Sequence, residues 1–118
     1  MILLVEDDSN ARALFVRILS RVGYEVMESE DGAEALRLLE MHPFELMITD
    51  LRMPKMDGFT LISHVRLKWP HLPIVLVSGY ISSAEVENHR EELVEIIPKP
   101  VDRVHLLATV NRFVPIVR

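Results

Sequence analysis

The sequence predicts an α/β domain in which a five-stranded parallel sheet carries helices on both faces. Three observations carry that prediction. Five short apolar runs alternate with stretches of helical periodicity. The first of them, Ile2-Leu3-Leu4-Val5, is continuous rather than alternating in polarity, as expected of a strand buried on both faces. Two of the runs also stop abruptly on acid: Ile2 to Val5 leads into Glu6-Asp7-Asp8, and Phe44-Glu45-Leu46-Met47-Ile48-Thr49 leads into Asp50.

In chain order, Ile2 to Val5 is the first strand and Ser9 is placed to cap the helix after it. There Ala11, Leu14, Phe15, Ile18, Leu19 and Val22 recur at helical spacing as one apolar stripe, and Gly23 ends the helix by supplying a left-handed position. Tyr24 to Met27 reads as the second strand. Asp31-Gly32-Ala33-Glu34 resembles a capping box, opening a helix with Leu36, Leu38 and Leu39 that stops at His42-Pro43. The third strand ends at Asp50, and Leu51 to Gly58 holds Pro54 and Gly58 and is irregular. A helix with Phe59, Ile62 and Val65 inward follows, closed by Trp69-Pro70. Pro73 to Val77 is the fourth strand, ending on Ser78-Gly79. Ser82 and Glu85 cap a short, charged helix through Glu92; its one strong inward residue is Val86, so it is expected to be the loosest helix. Leu93 to Ile97 makes the fifth strand, which Pro98-Lys99-Pro100 breaks. The last helix has Val104, Leu107 and Val110 on one side, with Leu106 and Phe113 adjoining.

Right-handed crossovers put helices on both faces of such a sheet. The expected strand order is 2-1-3-4-5 in a flavodoxin-like three-layer sandwich with about five helices, and sites in that arrangement form at strand C-termini near the reversal of order. Strands 1 and 3 flank the reversal, and they are the two that end on carboxylates.

Bulk properties narrow the function. A chain of 118 residues, 49% apolar, fits a single domain spanning residues 1–118 with a proper core. A net charge of −5 argues against a nucleic-acid surface. The absence of cysteine excludes disulfides and thiolate metal sites and is compatible with a reducing cytosol. No apolar run approaches the ~20 residues of a membrane helix, and acid at residue 6 is unlike a signal peptide. A soluble protein acting in the cytoplasm is expected. The histidines, His42, His64, His71, His89 and His105, share no metal-ligand spacing and read as helix-end and surface residues. The methionines read as packing and loop filler.

The chemistry lies at the strand ends. Two carboxylates about 4 Å apart repel by ~4 kcal/mol at an effective dielectric near 20, so clustered acids need a proton or a cation. All-oxygen ligands point to a hard dication, magnesium first. Taken singly, Glu6, Asp7 and Asp50 are ordinary cap or loop acids, and capping is the expected work of Asp8. As a set on buried strands they converge. Ser78 and Lys99 end the fourth and fifth strands on the same edge and add a hydroxyl and an ammonium. Phosphoryl transfer to a carboxylate needs these parts, because the incoming group spreads negative charge over its equatorial oxygens. Asp50 is the expected nucleophile, with magnesium at Glu6, Asp7 and Asp50, and with Lys99 and Ser78 meeting other phosphoryl oxygens.

Four segments carry a family resemblance: Ile2 to Asp8, Met47 to Gly58, Ile74 to Gly79, and Pro98-Lys99-Pro100. In this order they closely resemble the receiver domain of two-component response regulators, over the whole chain. The resemblance implies a histidine kinase or phosphorelay histidine as donor to Asp50. It also implies magnesium at Glu6, Asp7, Asp50 and the Arg52 main-chain carbonyl, a cis Lys99-Pro100 bond, and an output domain or target protein as partner. Two positions depart from the family pattern. Ile96 stands where an aromatic switch residue is common, so it is expected to be plain packing, and the usual ring-rotation output does not apply. Glu6 replaces the commoner Asp. In receivers the positions of Arg52 and Tyr80 tune dephosphorylation, and their bulk here is expected to slow it.

An FMN-binding reading fails because Glu6-Asp7-Asp8 would repel the phosphate. An Asp-nucleophile phosphatase would carry a second Asp two residues after the first, where Arg52 stands. The nearer alternative is a degenerate receiver acting as a phosphorylation-independent interaction module. Pairing of two copies through the last two helices and strand is an option that no residue demands.

Overall fold

Strands that are apolar on both sides need a helix layer on each face, and the fold supplies both. The computed structural model describes residues 1–89 and 95–116. Among these, strands and helices alternate as β1 (Ile2–Val5), α1 (Ser9–Arg21), β2 (Val26–Ser29), α2 (Gly32–Met41), β3 (Leu46–Asp50), α3 (Gly58–Lys68), β4 (Ile74–Ser78), α4 (Ser83–His89), β5 (Glu95–Pro98) and α5 (Arg103–Phe113). The sheet is parallel in the expected order β2-β1-β3-β4-β5.

Alternate residues of each strand feed two separate cores. Leu3, Val5, Met47, Ile74 and Leu76 face a layer containing Ala35 and Leu39 of α2 and Leu61, Ile62 and Val65 of α3. Ile2, Leu4, Leu46, Ile48, Val75 and Val77 face Phe15 and Leu19 of α1 and Leu106 and Val110 of α5. This two-sided burial is why the central strands read as continuous apolar runs.

Helix starts follow one rule. Asp8, Asp31, Asp57 and Asp102 each accept a backbone N–H of the turn that follows, satisfying donors the helix cannot. The cap of α1 is therefore Asp8 and not Ser9, which lies within the helix. Gly23 ends α1 with φ 102°. The N–H groups of Gly23 and Tyr24 return to the carbonyls of Ser20 and Leu19, which is a Schellman motif. Ser82 and Glu85 form the expected box: the Glu85 N–H donates to Ser82 Oγ at 3.1 Å, and the Ser82 N–H donates to Glu85 Oε1 at 3.0 Å.

Several expectations shift. The second strand is Val26–Ser29 rather than Tyr24 to Met27, because the Schellman turn holds Tyr24 against α1. The third strand begins at Leu46 and the fourth at Ile74. The fifth strand extends through Pro98, which a sheet edge tolerates. The part of it expected at residues 93–94, and the end of the fourth helix at residues 90–92, lie outside the described residues. Leu14 is 53% exposed and Val104 is 76% exposed, so neither belongs to its helix's buried face. Val86 is half-buried, and α4 buries no side chain fully among its described residues.

Candidate functional site

The register fixes the site. Val5 pairs with Thr49 across β1 and β3, Asp50 with Val77 across β3 and β4, and Ser78 with Pro98 across β4 and β5. Glu6 and Asp50 are thus the next residues along neighbouring strands, and Lys99 follows one step beyond Pro98. Residues 6, 50, 78 and 99 have no alternative but the same sheet edge.

Carboxylate oxygens of Glu6, Asp7 and Asp50 lie within 4.8 Å of one another. Lys99 Nζ sits 3.2 Å from Glu6 Oε1 and 3.1 Å from Asp50 Oδ2. The other Asp50 oxygen, Oδ1, accepts the Leu51 N–H at 2.8 Å, and Glu6 Oε2 accepts the Asp8 N–H at 3.2 Å. Glu6 is only 2% exposed and Asp50 8%, whereas Asp7 faces solvent.

The electrostatics follow from that burial. Loss of solvent pushes the Glu6 carboxyl up to about 7, with the Asp50 charge adding to it; the Asp8 N–H and Lys99 offset part of the rise. Burial pulls the Lys99 ammonium down, but hydrogen bonding and charge from Asp50, then Glu6, outweigh it and leave Lys99 above its ordinary value. One ammonium shared by two buried carboxylates, with a third acid at the rim, leaves the cluster two positive charges short when all three acids are ionised. The donors are all hard oxygens, so magnesium or a similar dication fits the residues present.

Ser78 is buried at the end of β4, but its hydroxyl donates to the Tyr80 carbonyl at 2.7 Å and accepts the Tyr80 N–H at 3.3 Å. The Lys99 N–H donates to the Ser78 carbonyl at 2.9 Å, tying the ends of β4 and β5 together. Tyr80 and Arg52 are exposed on the loops above. Ile96 is partly buried against the α2/α3 core, in keeping with a packing role. The Lys99-Pro100 peptide is cis, as expected.

The loop after Asp50 is shaped by backbone. Lys55 has φ 70°, and the Met56 N–H donates to the Pro54 carbonyl at 2.8 Å, a three-residue γ-turn that is uncommon outside glycine. The Gly58 N–H then returns to the Leu51 carbonyl at 2.8 Å.

Three supporting contacts had escaped sequence reasoning. Arg12 donates from Nη1 to the Glu6 carbonyl at 2.8 Å and from Nε to Glu28 at 3.2 Å, bracing the end of β1. Arg52 Nη2 meets both Glu85 oxygens at 3.4 Å. Gly58 lies against the Asp50 carbonyl. None has a local signature except Gly58, which stands beside the Asp57 cap.

The family model of the response regulator receiver domain matches residues 2–111. The chain belongs to the response regulator receiver family. Receivers of this family are signalling switches of two-component systems, and their acidic pocket binds magnesium. This receiver is 31% identical over 109 residues to the DNA-binding transcriptional regulator NtrC of Escherichia coli (strain K12), covering 92% of this chain and 23% of that protein. It spans about a quarter of the length of such regulators. The response regulator receiver protein of Pseudomonas putida superposes with a TM-score of 0.89 at 32% identity, covering 94% of each chain. The response regulator protein TrrA of Thermotoga maritima, in complex with Mg(2+)-BeF, gives 0.87 at 28% identity, covering 95% of this receiver and 96% of TrrA. Among the described residues no helix is long and apolar enough to cross a membrane.

Proposed function

We propose that this chain, a single receiver domain over residues 1–118, takes a phosphoryl group onto Asp50 from a histidine kinase or phosphotransfer-protein histidine. The change then alters its binding to an output domain or target protein. The observation that carries this reading is the Lys99 ammonium held 3.1 Å from Asp50 and 3.2 Å from Glu6, in a pocket where three carboxylates converge.

In the transfer, an Asp50 carboxylate oxygen forms the new O–P bond while the N–P bond of the donor phosphohistidine breaks and its electron pair returns to the imidazole. Asp50 is already oriented for this, with one oxygen on the Leu51 N–H and the other on Lys99. Lys99 is preorganised beside the developing negative charge and shifts its pairing from carboxylate to phosphoryl oxygen. The Ser78 hydroxyl donates to another phosphoryl oxygen once it leaves the Tyr80 carbonyl. Glu6, Asp7, Asp50 and the Arg52 carbonyl would hold magnesium, which supplies Lewis-acid neutralisation of the incoming phosphoryl oxygens when bound. The Mg(2+)-BeF complex of the Thermotoga maritima relative supports that cation here. The chain acts only on its own phosphorylation state and turns over no separate substrate.

Incubation with magnesium and acetyl phosphate tests the reading by intact mass. The mass rises by one phosphoryl group, and Asp50→Asn abolishes the gain. A wild-type mass that stays unchanged would replace this reading with the phosphorylation-independent interaction module. Arg52 and Tyr80 are exposed on the loops that follow Asp50 and Ser78; their bulk is the proposed shield against attacking water, so replacing both by small polar residues shortens the phosphoryl lifetime severalfold. An unaltered decay rate refutes the tuning role.

A further inference from the structure

Ile96 packs against the α2/α3 core, and the loop that carries the acceptor is joined to α4 by a different contact. The Arg52 guanidinium, two residues past Asp50, meets both carboxylate oxygens of Glu85 at 3.4 Å. Glu85 stands in the first turn of α4, and its Oε1 also accepts the Ser82 N–H at 3.0 Å. One carboxylate therefore both closes the helix's N-terminal box and grips the loop that carries the acceptor. The rest of α4 is thinly held. None of its described side chains is fully buried, and His89 stacks on Phe59 with ring centroids 3.9 Å apart. An element with so little burial sits at the low end of local stability, where one tether shifts its opening equilibrium.

We propose that the Arg52–Glu85 pair is the lever by which the state of Asp50 reaches α4; the signal itself rests on the phosphoacceptor reading above. A phosphoryl group brings a charge of about −2 and strong acceptor oxygens to a site two residues from Arg52. A guanidinium binds phosphoryl oxygens in a planar, two-pronged fashion, whereas a half-exposed carboxylate at 3.4 Å holds it weakly. Arg52 exchanges Glu85 for the phosphoryl oxygens. Glu85 keeps its bond to Ser82, so α4 retains its cap but loses its tether to the acceptor loop. The Ser78 hydroxyl leaves the Tyr80 carbonyl in the same event, freeing the β4–α4 connection from its other end. Glu85 is thus a positioning residue acting through Arg52.

The substitution Glu85→Gln separates the two jobs, because glutamine still closes a capping box and carries no charge. Hydrogen–deuterium exchange over residues 83–89 is measured for the wild type, E85Q, R52Q and the double variant, before and after acetyl phosphate, with phosphoryl occupancy read by intact mass. In the unmodified state each single variant exchanges about two- to fivefold faster than wild type, the range an exposed pair supports. The double variant is no faster than either single one, and phosphorylation accelerates α4 in the wild type but adds little in E85Q. Wild-type exchange in unmodified E85Q, or additive effects in the double variant, overturns the lever. A wild-type mass that never rises fails the phosphoacceptor reading instead, and the unmodified comparison still decides whether the pair holds α4.

Discussion

At position 58 a hydrogen atom is the largest side chain the acceptor loop accommodates. A methyl group there would stand 2.5 Å from the Asp50 carbonyl oxygen and 2.9 Å from Leu51 Cα, both backbone atoms that cannot swing aside. Gly58→Ala should cost about 1–3 kcal/mol by overpacking, read in urea unfolding, and slow phosphoryl uptake by moving Asp50. At Gly32 the same methyl would meet Met56 Sδ at 2.6 Å, the end of a flexible side chain. Gly32→Ala should therefore cost clearly less; equal losses would mean that backbone contact is not the cause. The sequence showed Gly58 only as a turn residue. That it lies against Asp50 depends on how the loop returns to the strand.

At the scale of the element, helical spacing identified the faces and missed their edges. In α1, Phe15 and Leu19 lie at the centre of the apolar arc, and Leu14 falls on its rim. In α5, three-residue steps drift by about 60° each, so Val104 and Val110 end about 120° apart. The sheet takes the side with Leu106, Thr109 and Val110. Leu19→Ala should cost about 2–5 kcal/mol. Leu14→Ala, made on an exposed edge, should stay within about 0.5 kcal/mol. Comparable losses in thermal or urea melts would contradict this placement of α1.

For the molecule as a whole, the buried acid edge makes stability depend on pH. The Glu6 carboxyl rises from 4.5 to about 7 on folding, so between those values the folded state holds a proton that the unfolded chain has lost. Stability contributed by this group is complete below 4.5, falls as pH rises through the window, and levels off above about 7. The Lys99 shift lies above 10.5 and acts outside that window. Melts of wild type against Glu6→Gln from pH 4 to 8 should show a slope in the wild type that the variant lacks. Excess magnesium should stabilise the wild type more at pH 8 than at pH 5, because the cation competes with that proton. Parallel curves would show that Glu6 is not the group responsible.

The sequence by itself determined the alternation of strands and helices, the strands' two-sided burial and the residues at their C-terminal ends. These are local properties of apolar runs, caps and breaks. Side-chain direction in a buried strand leaves little freedom, so Glu6, Asp50, Ser78 and Lys99 were legible as one group before any contact was known. Tertiary structure alone decided the rest: Lys99 divided between two carboxylates, the Ser78 hydroxyl turned to Tyr80, Arg52 paired with Glu85, and Leu14 and Val104 left outside. Apart from the Ser78–Tyr80 contact, which spans two residues, each of these depends on distances between segments that are remote along the chain, and no local periodicity encodes them.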